Sequence, residues 1–143
     1  MKKLIVLFAF VFTALTACMA KEKTTMTKQI KLIVNGTTFT ATLAGNSSAE
    51  AFARLLEKGP LTLELSDYGN FEKVGSLGTS LPRNDTRITT VPGDIILYHG
   101  NQITIYYDKN TWSFTRLGRI DDVEQSELKA VLGKGGVTVT FEK

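Results

Sequence analysis

GDIILYHGNQITIYY, residues 93–107, decides the fold. Ile95-Ile96-Leu97-Tyr98 and Ile103-Thr104-Ile105-Tyr106-Tyr107 flank the turn His99-Gly100-Asn101. Short runs rich in Ile and Tyr, bounded by turn residues, predict two strands of a hairpin. A second hairpin opens the domain. There Ile30, Leu32 and Val34 alternate with polar neighbours, as do Phe39, Ala41 and Leu43, and Asn35-Gly36 between them suits a type I′ turn.

Working outward, NSSAEAFARLLEKGP predicts a helix of about three turns. Ser47 and Glu50 have capping-box spacing, and Phe52, Leu55 and Leu56 form an apolar stripe. Gly59 and Pro60 stop the helix. Leu61, Leu63 and Leu65 alternate as a third strand. A long, turn-rich segment follows, with a short strand expected near Phe71 to Val74; a loop of this length is functional or mobile as a rule. Trp112 and Phe114 lead into the strand TRLGRI. VEQSELKAVLG is a short helix ended by Gly133, and Val137, Val139 and Phe141 form a closing strand. Many short strands with a helix near each end predict a mainly β fold: a closed β-barrel capped by two α-helices, over residues 29–143.

The N-terminus carries a different signal. Lys2-Lys3, an apolar stretch and Leu15-Thr16-Ala17-Cys18 follow the order of a secretory signal. The Leu-x-Ala-Cys run resembles the lipobox of bacterial lipoproteins. That resemblance implies a signal peptide at 1–17, acylation of Cys18, and lipid anchoring in a bacterial cell envelope, periplasmic or surface-exposed. The alternatives are an uncleaved anchor helix or a buried structural thiol. The apolar stretch is short for a span, which takes about 20 residues. Residues 18–28 are polar and rich in Thr and Lys, as in a flexible tether. Lys2 and Lys3 leave with the signal, so the formal charge of +3 falls to about +1. No basic stripe points to nucleic acid.

The order of elements and their residues is similar to the cyclophilin fold, and to the bacterial cyclophilin-like proteins in particular. Three stretches carry the likeness: the VNG turn ahead of NSSAEAFARLL, PGDIILY ahead of GNQITIYY, and Trp112 ahead of LGRI and a helix. The resemblance spans roughly Ile30 to Glu142 and implies a cyclophilin-like barrel. Cyclophilin isomerases carry a Phe-His-Arg run on the strand after the first helix, and its arginine polarises the prolyl amide. Here that strand reads Leu61-Thr62-Leu63-Glu64-Leu65. The resemblance therefore implies the fold without the catalytic set, and only Trp112 carries over from the substrate groove.

Other chemistry is sparse. With Cys18 acylated no Cys-His pair exists, and His99 is the only histidine. It falls in a turn, where a solvent-facing residue is the default. Asp121, Asp122, Glu124 and Glu127 lack calcium-loop spacing and suit the start of the last helix. No catalytic, metal or cofactor site is expected. Tyr68, Asn70, Glu72, Lys73, Tyr98, Tyr106, Trp112 and Arg116 form the candidate groove, because peptide recognition needs aromatic faces plus a donor aimed at a carbonyl. Against this stands a barrel filled by the aromatics, with Glu72, Lys73, Arg116 and Arg119 in surface ion pairs. Two functions follow. One is a membrane-anchored, non-catalytic module binding a peptide or small molecule. The other is a prolyl isomerase with a rearranged site, Arg116 or Lys73 replacing the missing arginine. The sequence leaves the oligomeric state open.

Overall fold

The computed structural model describes residues 28–143. The expected signal peptide, Cys18 and the expected tether up to residue 27 lie outside the described residues. The elements, in order, are β1 (Gln29–Val34), β2 (Thr37–Leu43), α1 (Ser47–Glu57), β3 (Leu61–Tyr68), β4 (Glu72–Ser76) and β5 (Thr86–Thr89). Then come β6 (Asp94–Tyr98), β7 (Gln102–Tyr106), β8 (Thr111–Ile120), α2 (Gln125–Leu132) and β9 (Val137–Glu142).

The strands pair in the order β2-β1-β9-β3-β4-β7-β6-β8, and β2 pairs with β8 to close the ring. The result is an eight-stranded antiparallel barrel, with β5 added outside on the first half of β8. Closure removes the sheet edges that would otherwise expose unpaired backbone groups. Both sequence-predicted hairpins are present. Asn35 and Gly36 take φ of 47° and 77°, and His99 and Gly100 take 52° and 75°. These paired positive values define the turn that matches strand twist.

Alternation along the strands fills the interior. Ile30, Leu32 and Val34 face Phe141, Val139, Ile95, Leu97, Ile103 and Ile105 in one buried core. Phe52 and Leu56 of α1 and Leu128 and Leu132 of α2 join it. Phe52 meets Phe141 edge to face at 5.7 Å. Each such fully buried side chain contributes about 1.5–3 kcal/mol.

Three local expectations are corrected. Asn46, not Ser47, caps α1: its side chain accepts from the Ala49 amide at 2.8 Å. Ser47 and Ser48 instead accept from Asn84, and Ser48 donates to the Pro82 carbonyl, which fixes the long connection against α1. That connection also holds β5, which the sequence did not suggest because TRIT pairs on one side only. The strand expected from Phe71 to Val74 runs instead from Glu72 to Ser76, because Phe71 belongs to the preceding turn.

A β-bulge shapes the outer wall. Ile95 pairs with Gly118 and Ile96 with Arg116, so Leu117 is the extra residue on β8. Leu117 and Ile120, three apart, consequently both enter the core. Arg116 and Arg119, also three apart, both reach Asp94 on the outside.

Candidate functional site

The strands β6 and β7 are apolar on both faces. Ile95, Leu97, Ile103 and Ile105 point into the barrel, whereas Ile96 and Tyr106 are buried outside it with Phe114. Phe71, Ile88 and Tyr98 pack on this second cluster. An outer sheet face covered by aromatic rings makes the floor of a groove of about 350 Å³. Tyr68, Phe71, Glu72, Tyr98, Tyr106, Asn110, Trp112 and Phe114 line it, with Val74, Gln102 and Thr104.

The rings hold one another in place. Tyr106 lies 6.1 Å from Phe71 in parallel and 5.5 Å from Phe114 at a tilt. Tyr68 meets Phe71 edge-on at 5.9 Å, and Tyr98 meets Phe114 at 6.2 Å. Phe71 is aimed into the groove by the turn before it. Gly69 takes φ of 62°, and a Cβ there would lie 2.3 Å from the Phe71 ring. At the two rims, Tyr68 is 63% and Trp112 is 57% exposed, the largest exposed apolar side chains of the described chain.

One acid sits among the rings. Glu72 lies directly across from Tyr106 in the β4–β7 register, so its carboxyl shares the outer face with the Tyr106 hydroxyl. Burial pushes the Glu72 carboxyl above the usual carboxylate range; the nearby Tyr106 hydroxyl opposes this and the Asp67 charge adds to it. The Tyr106 hydroxyl is pushed upward as well, by burial first and by the neighbouring Glu72 second. Asn110 donates to that hydroxyl, at 3.4 Å.

Of the residues singled out from sequence, Tyr68, Glu72, Tyr98, Tyr106 and Trp112 come together in the groove. Asn70, Lys73 and Arg116 do not. Asn70 occupies the β3–β4 turn with φ of 58° and borders a different hollow. Lys73 lies opposite Ile105 and points into the barrel, where it is fully buried; adjacent strand residues face opposite sides. Arg116 does share the outer face with Phe114, but its guanidinium turns to Asp94. Its Nε lies 3.4 Å from an Asp94 oxygen, and Nη2 donates at 3.5 Å. Arg116 is thus in an ion pair at the outer surface, whereas the Lys73 ion pair with Asp67 is buried rather than at the surface. Phe71, Phe114 and Asn110 had not been placed in the groove. The signal for the buried outer face was the run Ile95-Ile96-Leu97-Tyr98, since an unbroken apolar run marks a strand covered on both faces; Thr104 interrupts the run on β7.

Two further hollows are less suited to a ligand. One of about 700 Å³ lies over the β2–β8 seam between Arg116, Arg119 and Asp121. Both arginines there are tied to the fully buried Asp94, whose single charge they share. The other, about 560 Å³ beside the end of α2, holds Asp67, which is paired with Lys73 and accepts from Tyr107. His99 is exposed in its turn and stacks on Tyr98 at 4.0 Å.

Residues 32–142 match the model of a cyclophilin-like family. No curated protein matches the sequence. Among solved structures, McbB in complex with tryptophan is similar, with a TM-score of 0.58 and 18% identity over 80% of this chain. The match covers 44% of McbB, so the chain spans less than half of that protein's length. At that identity the likeness concerns the fold.

Proposed function

The chain belongs to the cyclophilin-like family, and from that premise we propose that it is a non-catalytic binding module whose site is the aromatic groove outside the barrel. In this reading α1 and α2 cap the barrel, its interior is core, and the ligand is a peptide segment. The observation that carries the proposal is the composition of the groove: six aromatic rings and one buried carboxylate, with no lysine or arginine in the lining. Rigid aromatic surface gives large contact area at low entropic cost. Prolyl isomerisation needs a strong donor fixed at the prolyl amide, worth about 3 kcal/mol of barrier. The two cations proposed for that task are engaged elsewhere, Lys73 inside the barrel and Arg116 with Asp94.

The lipobox-like Leu15–Cys18 run supports the rest of the reading. Acylated Cys18 and the polar segment after it would hold the domain on an envelope membrane. A single lipid chain anchors weakly and two anchor stably.

The test pairs two measurements on the full chain in detergent micelles. Trp112 is the only tryptophan and lies on the groove rim, so its emission reports occupancy. Short peptides with and without an Xaa-Pro bond should shift that emission saturably, while the prolyl cis–trans rate stays at its uncatalysed value of tens of seconds. Catalysis that disappears in Arg116→Ala would establish the rearranged isomerase instead. No emission change with any peptide would refute the groove as a peptide site.

A further inference from the structure

We propose that the groove selects a cationic side chain, the lysine or arginine of an extended peptide, with its charged head on Glu72 and its stem across the Tyr106 and Phe114 rings. The inference rests on the groove being the binding site. It adds what the occupant must carry.

Three observations converge on it. First, Glu72 is only 9% exposed and forms no ion pair with any described residue, whereas the described Asp67, Asp85 and Asp94 each have a basic partner. A buried carboxylate without a counter-ion is costly, and one that faces an open groove can receive the counter-ion from a ligand. Second, the neighbouring Tyr106 hydroxyl has one proton to offer at most, whereas an ionised carboxylate has about four acceptor positions. Lone pairs remain for an ammonium or guanidinium. Third, aromatic rings surround the acid. A cation over such faces gains about 0.5–2 kcal/mol, more as water is excluded. An anionic guest would meet Glu72 with like charge, and a neutral aliphatic guest would leave the carboxylate unpaired.

The rims argue for a peptide rather than a free small cation. Tyr68 and Trp112 flank the groove and stay more than half exposed. A chain carrying the cationic side chain would cover both; a small ammonium ion inside the groove would leave both in water. Burial already raises the Glu72 carboxyl. A bound cation would lower it again, so charge pairing and ligand uptake reinforce each other.

The experiment titrates the full chain in micelles with four blocked tripeptides that differ at the central residue: lysine, arginine, norleucine and glutamate. Trp112 emission is the readout. The lysine and arginine peptides should bind about tenfold or more tighter than the norleucine peptide, and the glutamate peptide weakest. Glu72→Gln should abolish the gap, so that the lysine and norleucine peptides bind alike. Tyr106→Phe, which keeps the ring, should retain the preference for cations. Equal affinity for lysine and norleucine in the wild type overturns the proposal while leaving the groove as a binding site, and this comparison stands even if Glu72→Gln fails to fold. A cation preference that survives in folded Glu72→Gln also overturns it. Tetramethylammonium binding as tightly as the lysine peptide would assign the groove to a free cation and refute the peptide. If no peptide alters Trp112 emission, both the groove reading and this one fail.

Discussion

The ammonium of Lys73 lies 3.1 Å from the carboxylate of Asp67, and 99% of the lysine side chain is out of water. Lys73 also donates to the carbonyls of Gly133 at 2.9 Å and Gly135 at 2.6 Å. Gly133 is the C-cap of α2, so the cation sits where a helix leaves its carbonyls unpaired and its dipole is negative. The Tyr107 ring, 5.6 Å away, completes the shell. All three ammonium protons have partners, which is the condition for burying a lysine at all.

Lys73→Met should therefore destabilise the domain by about 3 kcal/mol, because Asp67 and two carbonyls lose their donor at once. Urea denaturation measures it. Ligand-induced change in Trp112 emission should survive under native conditions, since Lys73 is not part of the groove. A loss of less than about 1 kcal/mol would show that water replaces the ammonium without strain.

Asp67 and Glu72 give stability opposite pH dependences. Burial alone would raise the Asp67 carboxyl, but the bonds from Tyr107 and Lys73 and the lysine charge outweigh it and hold it below 3.8. Its contribution is present above that value and is lost as pH falls through the lower native one. Glu72 is held above 4.5, chiefly by burial. The native state then binds its proton more readily than the unfolded chain, and stability declines as pH rises from 4.5 through the native value. Glu72→Gln should remove that decline and stabilise the ligand-free protein at neutral pH. Denaturation midpoints at about pH 3, 5 and 8 separate the two groups. An unchanged pH profile in Glu72→Gln would contradict the account.

Barrel closure depends on one close backbone approach. Gly118 pairs with Leu43 across the β2–β8 seam, and a Cβ there would lie 2.6 Å from the Thr42 carbonyl oxygen. Gly118→Ala should cost about 2 kcal/mol or more, because backbone cannot yield as a flexible side chain does. The Ala44 amide, bonded to the Leu117 carbonyl at 2.8 Å, should exchange its proton faster in the variant than β3–β9 amides do. Uniform exchange changes across all strands would argue against a local seam.

At the N-terminus, Cys18→Ser should abolish acylation and move the protein from the membrane fraction to the soluble or unprocessed fraction. Mature variant that still sediments with membranes would exclude the lipobox reading. Cys18 lies outside the described residues, so this expectation rests on Leu15-Thr16-Ala17-Cys18 alone.

Local pattern determined the elements. Asn35-Gly36, the Phe52–Leu55–Leu56 stripe and the alternation of Val137, Val139 and Phe141 each act within a few residues, so both hairpins, both helices and the closing strand were legible in the chain. Five of the eight candidate residues line the groove, because side chains on adjoining outer strands converge once a barrel is assumed. Only the tertiary structure decided the rest. The bulge at Leu117 changes which side chains share a face, and no residue type announces it. Strand parity sends Lys73 inward, but which parity holds depends on pairing with β7, far along the chain. Arg116 stands on the outer face as its spacing from Phe114 suggests, yet Asp94 claims it, 22 residues away in sequence. Side-chain direction across a closed sheet is set by register between distant strands, and register is a property of the whole barrel.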